Sequence, residues 1–483
     1  MTLKAPSSQK VTNINGEKKS HLGRKIQTRT AKNALNLSNS IAVDKTFYLE
    51  DIEGSLAYAE ALLKAKILTK TEFSRIKSGL NQIKKKIDTN QFKWNEVLED
   101  VHMNIEAALE KSIGETAKKI HTGRSRNDQV VTDIKLYMLK KSEAIKAALI
   151  ELLKSLVQKA EPEVETLMPG FTHLQIAQPI TLAHHLMAYY EMFQRDLSRF
   201  QNSETSLSIS PLGSGALAGN RFKLDRKKMA RDLGFKEITQ NSIDAVSDRD
   251  FIAEMLFNIS LTAVHLSRIS EEFIIWSSTQ FNYLELPEEL CTGSSIMPQK
   301  RNPDMAELVR GGAAQTIGNL MALLSLVKNQ PLAYNRDNQE DKKPLFQSID
   351  YILQAIDITS AMVAGAKFNS DEMLNDVYDG HICATDLAEY LVLKGIPFRS
   401  AHAITGKAVQ LAEKKDALLE ELSLEEFKKL SPKIEKDVYK YLDPMSSIAA
   451  KSSIGGTAPS QVKKQIDKAK ICLLYTSPSP RDS

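Results

Sequence analysis

The feature that most constrains the fold of this chain is a pair of long segments without glycine or proline, at positions 124–161 and 235–286. Glycine and proline are the residues that most often interrupt helices, so segments that lack them favour long, continuous helices. At about 1.5 Å per residue, the longest of these helices would extend for roughly 45 Å or more. Helices of that length need partners along most of their surface, because one compact monomer does not bury them.

Apolar residues recur within these segments at spacings of three, four and seven, as an amphipathic helix requires. Positions 181–210 and 345–363 have the same pattern and predict two further helices. Short strands do not alternate with helices, so a doubly wound sheet is excluded and an all-α fold is predicted. The stripe in the first segment consists of Ile134, Met138, Ile145, Leu149, Leu152 and Leu156.

The 483 residues are too many for one small core, and we predict three helical domains with an additional segment at each end. The N-terminal segment has eight Lys or Arg residues against the single acid Glu17, and it lacks the apolar core of a signal peptide. A disordered basic arm is favoured there over a transit peptide. The last twelve residues, CLLYTSPSPRDS, have no helical periodicity and are interpreted as a non-native tail. The predicted boundaries are 1–33 for the arm, 34–125 for an N-terminal helical domain, 126–374 for a central long-helix bundle, 375–471 for a C-terminal helical domain and 472–483 for the tail.

Charge and cysteine content exclude several classes of function. With 64 basic and 60 acidic residues the net charge is only +4, so neither nucleic acid nor a membrane surface is expected as a partner. No stretch approaches the roughly 18 apolar residues that a membrane span needs. The three cysteines are too few and too far apart for a disulfide framework or a metal site. This favours a reducing compartment, and we expect a cytoplasmic protein.

The segment GSSIMPQKRNPD, Gly293–Asp304, is the first candidate for chemistry. Gly293 permits a mobile backbone, and two hydroxyls follow it. Lys300 and the residues after it present cations and an amide just before a helix that is predicted to begin near Met305. A loop of this kind is suited to closing over a substrate that carries carboxylates. The alternative is a solvated basic loop, which composition alone favours.

The segment HTGRSRNDQV places Arg124 and Arg126 on either side of Ser125, at the start of the first long helix. Arginine side chains bind carboxylates through two parallel hydrogen bonds, and a helix N-terminus adds further donors. The alternative is a capped helix start with solvated charges, in which Ser125, Asn127 or Asp128 supplies the cap.

The third candidate is Thr172-His173-Leu174-Gln175, in a loop that we expect to lead into the bundle. Catalytic groups often lie in such loops, although a lone histidine is more often structural. The glycine-rich PLGSGALAG is not a nucleotide-binding fingerprint, because its glycines have the wrong spacing and no strand is predicted before them. No cluster of His, Cys, Asp and Glu residues indicates a metal.

The segment Gly293–Asp304 matches the pattern GSSxMPxKxNP. The chain thereby resembles the superfamily of fumarase, aspartase, adenylosuccinate lyase and argininosuccinate lyase. HTGRSRND is similar to the argininosuccinate lyase family in particular. The resemblance extends from about residue 40 to about residue 470 and includes LEDVHMNIE and PLAYNRDNQEDKKPLF. It departs at Ile176, where the family usually has Arg, and at positions 22–26, where LGRKI replaces WGGRF.

The resemblance implies the reversible elimination of argininosuccinate to L-arginine and fumarate, without a cofactor or a metal. Ser294 would abstract the proton from the succinyl Cβ, and Lys300 and Asn302 would hold the carboxylate on which charge accumulates. His173 would be the partner in proton transfer, with its ring oriented by Glu307. The other residues expected to contact this small-molecule substrate are Ser40, His102, Asn104, Arg126, Asn127, Thr172, Tyr334, Gln339 and Lys342.

The resemblance also implies a homotetramer, in which the long central helices of four subunits form a shared core. Three signature segments would then meet from three different subunits, which agrees with the inference that the helices are too long for a monomer. Three alternatives remain open. The first is a sister lyase, such as adenylosuccinate lyase, which shares the loop pattern. The second is a structural, crystallin-like role without activity, and the third is a helical scaffold with no chemistry.

Overall fold

The computed structural model describes residues 31–476, which are mostly helical. Almost all of the predicted basic arm, including positions 22–26, lies outside these residues. The α-helices are α1 (Lys32–Ser38), α2 (Ile41–Asp44), α3 (Tyr48–Lys64), α4 (Lys70–Asp88), α5 (Val101–Ile113), α6 (Arg126–Ala160), α7 (Leu182–Leu207), α8 (Arg226–Asp232), α9 (Ser242–Ser247), α10 (Asp250–Trp276), α11 (Asp304–Val327), α12 (Lys342–Gly365), α13 (Ser370–Tyr378), α14 (Ala384–Leu393), α15 (Phe398–Lys414), α16 (Leu424–Leu430), α17 (Val438–Tyr441), α18 (Pro444–Ala450) and α19 (Pro459–Thr476).

The strands are short and form separate two-stranded sheets, which leaves the fold in the predicted all-α class. Within the described residues there are three antiparallel pairs and one parallel pair, β3 with β4. The antiparallel pairs are β1 with β2, β5 with β8, and β6 with β7. The strands are β1 (Leu167–Thr172), β2 (Gln175–Thr181), β3 (Ile209–Ser210), β4 (Glu237–Ile238), β5 (Leu284–Glu285), β6 (Thr292–Gly293), β7 (Arg301–Asn302) and β8 (Lys367–Phe368).

Helices α6, α7, α10, α11 and α12 pack against one another as a central bundle. With 35 residues, α6 extends for about 52 Å. It begins at the N-cap Ser125, whose hydroxyl accepts the N–H of Asn127 at 3.3 Å. Its apolar stripe is fully buried from Ile134 to Leu156. The long helices predicted within 124–161, 181–210 and 345–363 are therefore confirmed.

The prediction for 235–286 is only partly correct, because this segment is divided among β4, α9, α10 and β5. Side-chain oxygens divide it where glycine and proline are absent. Asn241 accepts the N–H groups of Ile243 and Asp244, and Asp248 accepts that of Asp250. Such local hydrogen bonds compete with the helical pattern and favour caps over helix interiors.

The described residues have one large hydrophobic core and a second one in the C-terminal part. The large core joins the helices before residue 121 to the central bundle, and the second lies mainly within 377–448. The last helix, α19, packs on the large core through Val462, Ile466, Ala469 and Leu473. The predicted boundaries of the three domains stay predictions.

Helix α19 includes the first residues of the predicted tail, and the interpretation of 472–483 as a non-native tail stays a prediction. This helix continues to Thr476, past the predicted end of the domain at residue 471, and Leu473 is 6% exposed. Leu473 continues the apolar stripe of α19 at a spacing of four from Ala469, and this burial favours the helical conformation there. Within residues 31–476, no helix combines the length and the apolarity that crossing a bilayer requires.

Candidate active site

A buried polar cluster lies where α3, α5 and the first part of α6 meet. Nδ1 of His102 is 2.8 Å from a carboxylate oxygen of Asp51 and 3.5 Å from one of Asp133. Each of these side chains is at most 2% exposed. The other ring nitrogen of His102, Nε2, has no hydrogen-bond partner within residues 31–476. The cluster thus holds the imidazole of His102, which was expected to contact substrate, through Nδ1 and leaves its Nε2 unbonded.

The guanidinium of Arg126 is oriented from two sides. Its Nη1 donates to Gln129 at 2.8 Å, and its Nε lies 3.1 Å from Asp100. Gln129 in turn donates through Nε2 to an oxygen of Asp51 at 2.5 Å. His102 and Arg126, both expected to contact substrate, are therefore linked through Asp51 and Gln129.

The two aspartates beside His102 have pKa values that are shifted in opposite directions. Burial alone would raise the pKa of Asp51, but His102, Arg124 and Arg126 outweigh it and lower that pKa to about 2. Burial and the charge of Asp51 raise the pKa of Asp133 well above its usual range. Asp51 therefore ionises more readily than Asp133, because one buried carboxylate disfavours the ionisation of an adjacent one.

Asp51, His102 and Asp133 also form a group that could hold a metal ion. One ligand atom from each residue lies within 4.8 Å of the others. The sequence did not reveal this group, because its members come from three different helices. The separation of 2.8 Å between His102 and Asp51 is that of an ordinary hydrogen bond, which accounts for the pair without an ion.

Ser40 and Lys342 lie beside a second buried acid, Asp44. Ser40 donates its hydroxyl to one oxygen of Asp44, and the other oxygen has no hydrogen-bond partner in the described part of the chain. Burial raises the pKa of Asp44, and the charge of Lys342 opposes this shift. Gln339 donates to the carbonyl of Ser38 at 3.1 Å, so these segments are tied together.

Lys342 belongs to a buried group of charges at the start of α12. Its Nζ lies 2.9 Å from Asp341, which also accepts the Nε of Arg249 at 2.5 Å. Burial raises the pKa of Tyr334, and the charge of Lys342 opposes that shift. Asn338 is 1% exposed, and neither polar atom of its amide has a partner within 31–476.

Asn127 and Asp128 both hold the glycine-rich loop. Asn127 donates to the carbonyl of Ala216 at 3.0 Å, and Asp128 accepts the N–H groups of Gly213 and Gly215 at 3.0 and 2.9 Å. The prediction that no strand precedes this loop is wrong, because β3 does. The loop still does not offer the phosphate site of a nucleotide-binding loop, since the N–H groups of Gly213 and Gly215 already donate to Asp128.

The side chain of Asn104 is hydrogen-bonded to the loop before α5, and its expected contact with substrate stays a prediction. Its amide oxygen accepts the N–H of Asn95 at 2.7 Å. Its amide nitrogen donates to the carbonyls of Asn95 and Asp100 at 3.2 and 2.9 Å. Both amide hydrogens and the oxygen are thus used to hold the loop before α5.

Thr172 and His173 lie at the tip of the β1–β2 hairpin, not in the simple loop that was predicted. Thr172 pairs with Gln175, so the turn consists of His173 and Leu174. Both turn residues have positive φ, 57° and 58°, as in a type I′ turn, which prefers Asn and Gly. His173 is exposed and makes no hydrogen bond within 31–476. Below the hairpin, a cavity of about 360 Å³ separates it from α7 and α10.

The Gly293–Asp304 segment forms another hairpin, directly before α11. The pairing of Gly293 with Arg301 makes Ser294 and Lys300 the first loop residues on its two sides. Lys300 is exposed, and its N–H donates to the carbonyl of Met297 at 3.1 Å. The following helix begins at Asp304, one residue before the predicted start.

The hydroxyl of Ser294 is held by the backbone of its own loop. Its Oγ accepts the N–H groups of Ile296 and Met297 at 3.3 and 3.0 Å. Hydrogen bonds donated to an oxygen favour its ionised form. The loop therefore offers Ser294 part of the stabilisation that a serine needs to act as a base.

The three expected catalytic residues are not linked to one another within the described part of the chain. No hydrogen bond or ion pair in residues 31–476 joins any two of His173, Ser294 and Glu307. The structure does bring together most of the residues that are expected to contact substrate in the segments before residue 130 and after residue 333. No side-chain hydrogen bond or ion pair within residues 31–476 links these residues to the hairpin of His173 or to the loop of Ser294.

Sequence reasoning missed the acids that orient these side chains. Asp51, Ser55 and Tyr58 recur at spacings of four and three on α3, and all are buried. A polar residue at a position that the helical period assigns to the core is the signal that could have identified Asp51. Asp133 and Gln129 occupy comparable buried positions on α6.

Comparison with family models gives two matches. One described as "Lyase" matches residues 25–318, and one described as "Argininosuccinate lyase C-terminal" matches residues 381–449. The argininosuccinate lyase of Ruthia magnifica subsp. Calyptogena magnifica is 49% identical over 434 residues, which cover 90% of each chain. That of Halorhodospira halophila is 49% identical over 433 residues, which cover 90% of this chain and 93% of the relative.

Solved structures share the fold. A structure of EDDS lyase in complex with formate has a TM-score of 0.82 at 29% identity and covers 90% of this chain and 87% of its own. A fumarate lyase from Mesorhizobium sp. BNC1 has a TM-score of 0.73 at 18% identity, over 92% and 99% of the two chains. The second of these likenesses concerns the fold alone.

Proposed function

The chain belongs to the argininosuccinate lyase family, and we propose that it catalyses the reversible elimination of argininosuccinate to L-arginine and fumarate. The observation that carries the proposal is the hydroxyl of Ser294, which accepts two backbone N–H groups in the loop that precedes α11. The proton beside a carboxylate is very weakly acidic, so its removal needs an activated base and fixed positive charge. This loop supplies both kinds of group.

In the proposed mechanism, Oγ of Ser294 takes the Cβ proton of the succinyl unit. The electron pair of that C–H bond moves toward the adjacent carboxylate, whose charge is compensated by Lys300 and Asn302. The pair then forms the double bond of fumarate as the bond from carbon to the guanidinium nitrogen breaks. That nitrogen receives its proton from His173 or from a water that His173 holds, with Glu307 orienting the ring.

Residues beside the buried polar cluster and near the start of α12 would bind the rest of the substrate. Arg126 and Lys342 supply cations for substrate carboxylates, and Arg126 is held in one orientation by neighbouring side chains. Ser40, Asn127, Tyr334 and Gln339 supply hydroxyl and amide groups around them. Preoriented groups lose little entropy when a ligand binds.

A homotetramer would bring the separate segments together. Helix α11 carries a single charge, Arg310, between Leu308 and Val327, and it exposes a row of apolar residues. An exposed apolar face of this length indicates a protein interface. We propose that other copies of the chain cover it and that each active site takes its segments from three subunits. The exposed large side chains of the face are Leu308 at 65%, Ile317 at 43%, Met321 at 57% and Leu324 at 44%.

The proposed activity is that of a small-molecule enzyme, and we propose the cytoplasm as its compartment. The sparse cysteines support this location, because structural disulfides are rare in reducing compartments.

The first test is to mix the purified protein with argininosuccinate and to follow the ultraviolet absorbance of fumarate. We expect release by the wild-type protein and a loss of roughly 100-fold or more for Ser294→Ala, since a positioned base contributes about that much. Ser295→Ala is the matched control, because it removes the adjacent hydroxyl and should keep most of the activity. No fumarate from a tetrameric wild-type protein would contradict the proposal and favour a sister lyase or an inactive, crystallin-like role.

Shared active sites are tested by mixing two inactive variants, His173→Ala and Ser294→Ala, after mild dissociation. Mixed tetramers then contain some sites in which both residues are intact, so activity should return to a fraction of the wild-type level. Reassociated samples of each variant alone are the control. If the mixture stays as inactive as the separate variants, the catalytic segments come from one subunit.

A further inference from the structure

We propose that Asp51 is a positioning residue for this reaction, because its carboxylate orients the imidazole of His102 and, through Gln129, the guanidinium of Arg126. The inference rests on the proposed function in one respect, namely that His102 and Arg126 contact the substrate. Asp51 itself is buried behind them and acts only through them.

One oxygen of Asp51 accepts hydrogen bonds from both His102 and Gln129. Oδ1 accepts from Nδ1 of His102 at 2.8 Å and from Nε2 of Gln129 at 2.5 Å. Since the amide nitrogen of Gln129 faces Asp51, its oxygen faces Arg126 and accepts from Nη1 at 2.8 Å. A change at Asp51 would therefore reach two substrate contacts at once.

The bond to Asp51 also determines which nitrogen of His102 is available. With Nδ1 donating to the carboxylate, Nε2 is the nitrogen that remains for a substrate. This Nε2 is buried and has no partner among the described residues. An imidazole that is fixed on one side and unbonded on the other is arranged for a ligand, whereas a purely structural histidine normally has both nitrogens paired.

The backbone around Asp51 is itself held firmly. Arg124, just before α6, donates through Nη1 to the hydroxyl of Ser55 at 2.9 Å. Ser55 lies one turn after Asp51 on α3, so this bond ties the start of α6 to the part of α3 that carries the carboxylate. Groups held on packed helices keep the precise geometry that a positioning role needs.

Asp133 provides a matched comparison at the same imidazole. Its nearer oxygen is 3.5 Å from Nδ1, beyond ordinary hydrogen-bond length, and this oxygen has no hydrogen-bond partner within 31–476. Burial and the charge of Asp51 raise the pKa of Asp133. Two aspartates thus flank one histidine, and only Asp51 makes the bond that orients it.

The kinetic test compares Asp51→Asn, Asp51→Ala and Asp133→Asn with argininosuccinate as substrate. Asn at position 51 keeps an acceptor oxygen and loses only the charge, so it should retain more activity than Ala. We expect kcat/KM to fall on the order of 10-fold for Asp51→Asn and on the order of 100-fold for Asp51→Ala, the range for partners that orient a functional imidazole. Asp133→Asn should stay within about threefold of the wild type. Equal losses for the two Asn variants would overturn the proposal.

A second comparison separates positioning from general stabilisation. Asp51→Ala is measured again in a His102→Ala background, where the residue it acts on is absent. The additional loss should then be clearly smaller than in the wild type, because residues that act through one another are not additive. Fully additive losses would overturn the inference. Thermal unfolding and light scattering check that each variant is folded and assembled.

Crystal structures of Asp51→Ala and Asp133→Asn give a measurement that needs no substrate. The ring of His102 or the guanidinium of Arg126 should move in the first variant and stay in place in the second. Unchanged positions in both would overturn the inference whatever the enzyme acts on. A failure of the proposed function is seen separately, as absence of fumarate from the wild-type protein.

Discussion

The buried carboxylate of Asp128 accepts a hydrogen bond of 3.0 Å from the backbone N–H of Gly213. The same oxygen accepts the N–H of Gly215 at 2.9 Å, and the other accepts that of Ser125 at 3.0 Å. Gly213 and Gly215 have φ of 92° and 65°, and a Cβ on Gly215 would lie 2.9 Å from the carbonyl oxygen of Gly219. Asp128 therefore joins the start of α6 to a loop that only glycine can form.

Replacing Asp128 by Ala should strongly destabilise the protein. The change leaves three backbone donors without their acceptor, and each buried unsatisfied group costs roughly 1–3 kcal/mol. Thermal unfolding measures the effect. Asp225→Ala is the control, because Asp225 caps α8 at the surface and its loss should cost only about 1 kcal/mol. A fall in Tm no larger than that of Asp225→Ala would contradict this role.

Replacing Leu174 by Gly should stabilise the hairpin that carries His173. Leu174 has φ of 58° and is 70% exposed, so it is strained and contributes little burial. Relief of a left-handed conformation in a non-glycine residue is worth about 1 kcal/mol. We expect a small rise in Tm, whereas Leu174→Ala, which keeps the strain, should produce none. A lower Tm for the Gly variant would mean that the side chain of Leu174 stabilises the protein through contacts in the assembly.

Charges on the exposed face of α11 should break the assembly. Leu308→Glu with Met321→Glu places two carboxylates on residues that are 65% and 57% exposed in the single chain. If other subunits cover this face, burying unpaired charges is costly, and light scattering should give a smaller particle. Leu393→Glu is the control, since Leu393 is 72% exposed on α14, outside the bundle. A tetramer that persists in the double variant would place the interface elsewhere.

Acidic pH should destabilise the protein through His121. Burial, with the charges of Arg124 and Arg126, lowers the pKa of His121 to about 4, whereas its unfolded value is about 6.5. Between these values the unfolded chain binds a proton that the folded chain does not, so stability falls as pH decreases from about 6.5 toward 4.

The measurement is the difference in Tm between pH 7 and pH 5. It should be smaller for His121→Gln than for the wild type, because the variant has no imidazole to protonate. His402→Gln removes an exposed histidine and should leave the difference unchanged. An equal pH dependence in all three proteins would exclude His121 as the source.

Local signals in the sequence predicted much of the fold. The apolar stripe of α6 and the lack of glycine and proline in 124–161 determine a long helix, and Ser125 at its start determines where it begins. Helical periodicity depends on neighbouring residues alone, so one sequence is sufficient to find it. The division of 235–286 was missed because the side chains of Asn241 and Asp248 accept backbone N–H groups at the starts of α9 and α10. Composition does not distinguish such hydrogen bonds from surface polarity.

The sequence by itself determined the all-α class, the family resemblance and the residues expected to carry the chemistry, because these depend on motifs that are contiguous in the chain. Only the tertiary structure decided which side chains share a site. Asp51 reaches His102 across 51 positions and Gln129 across 78, and no local pattern encodes such pairs. Packing of distant helices creates these relationships, so they follow from the folded chain and not from its order of residues.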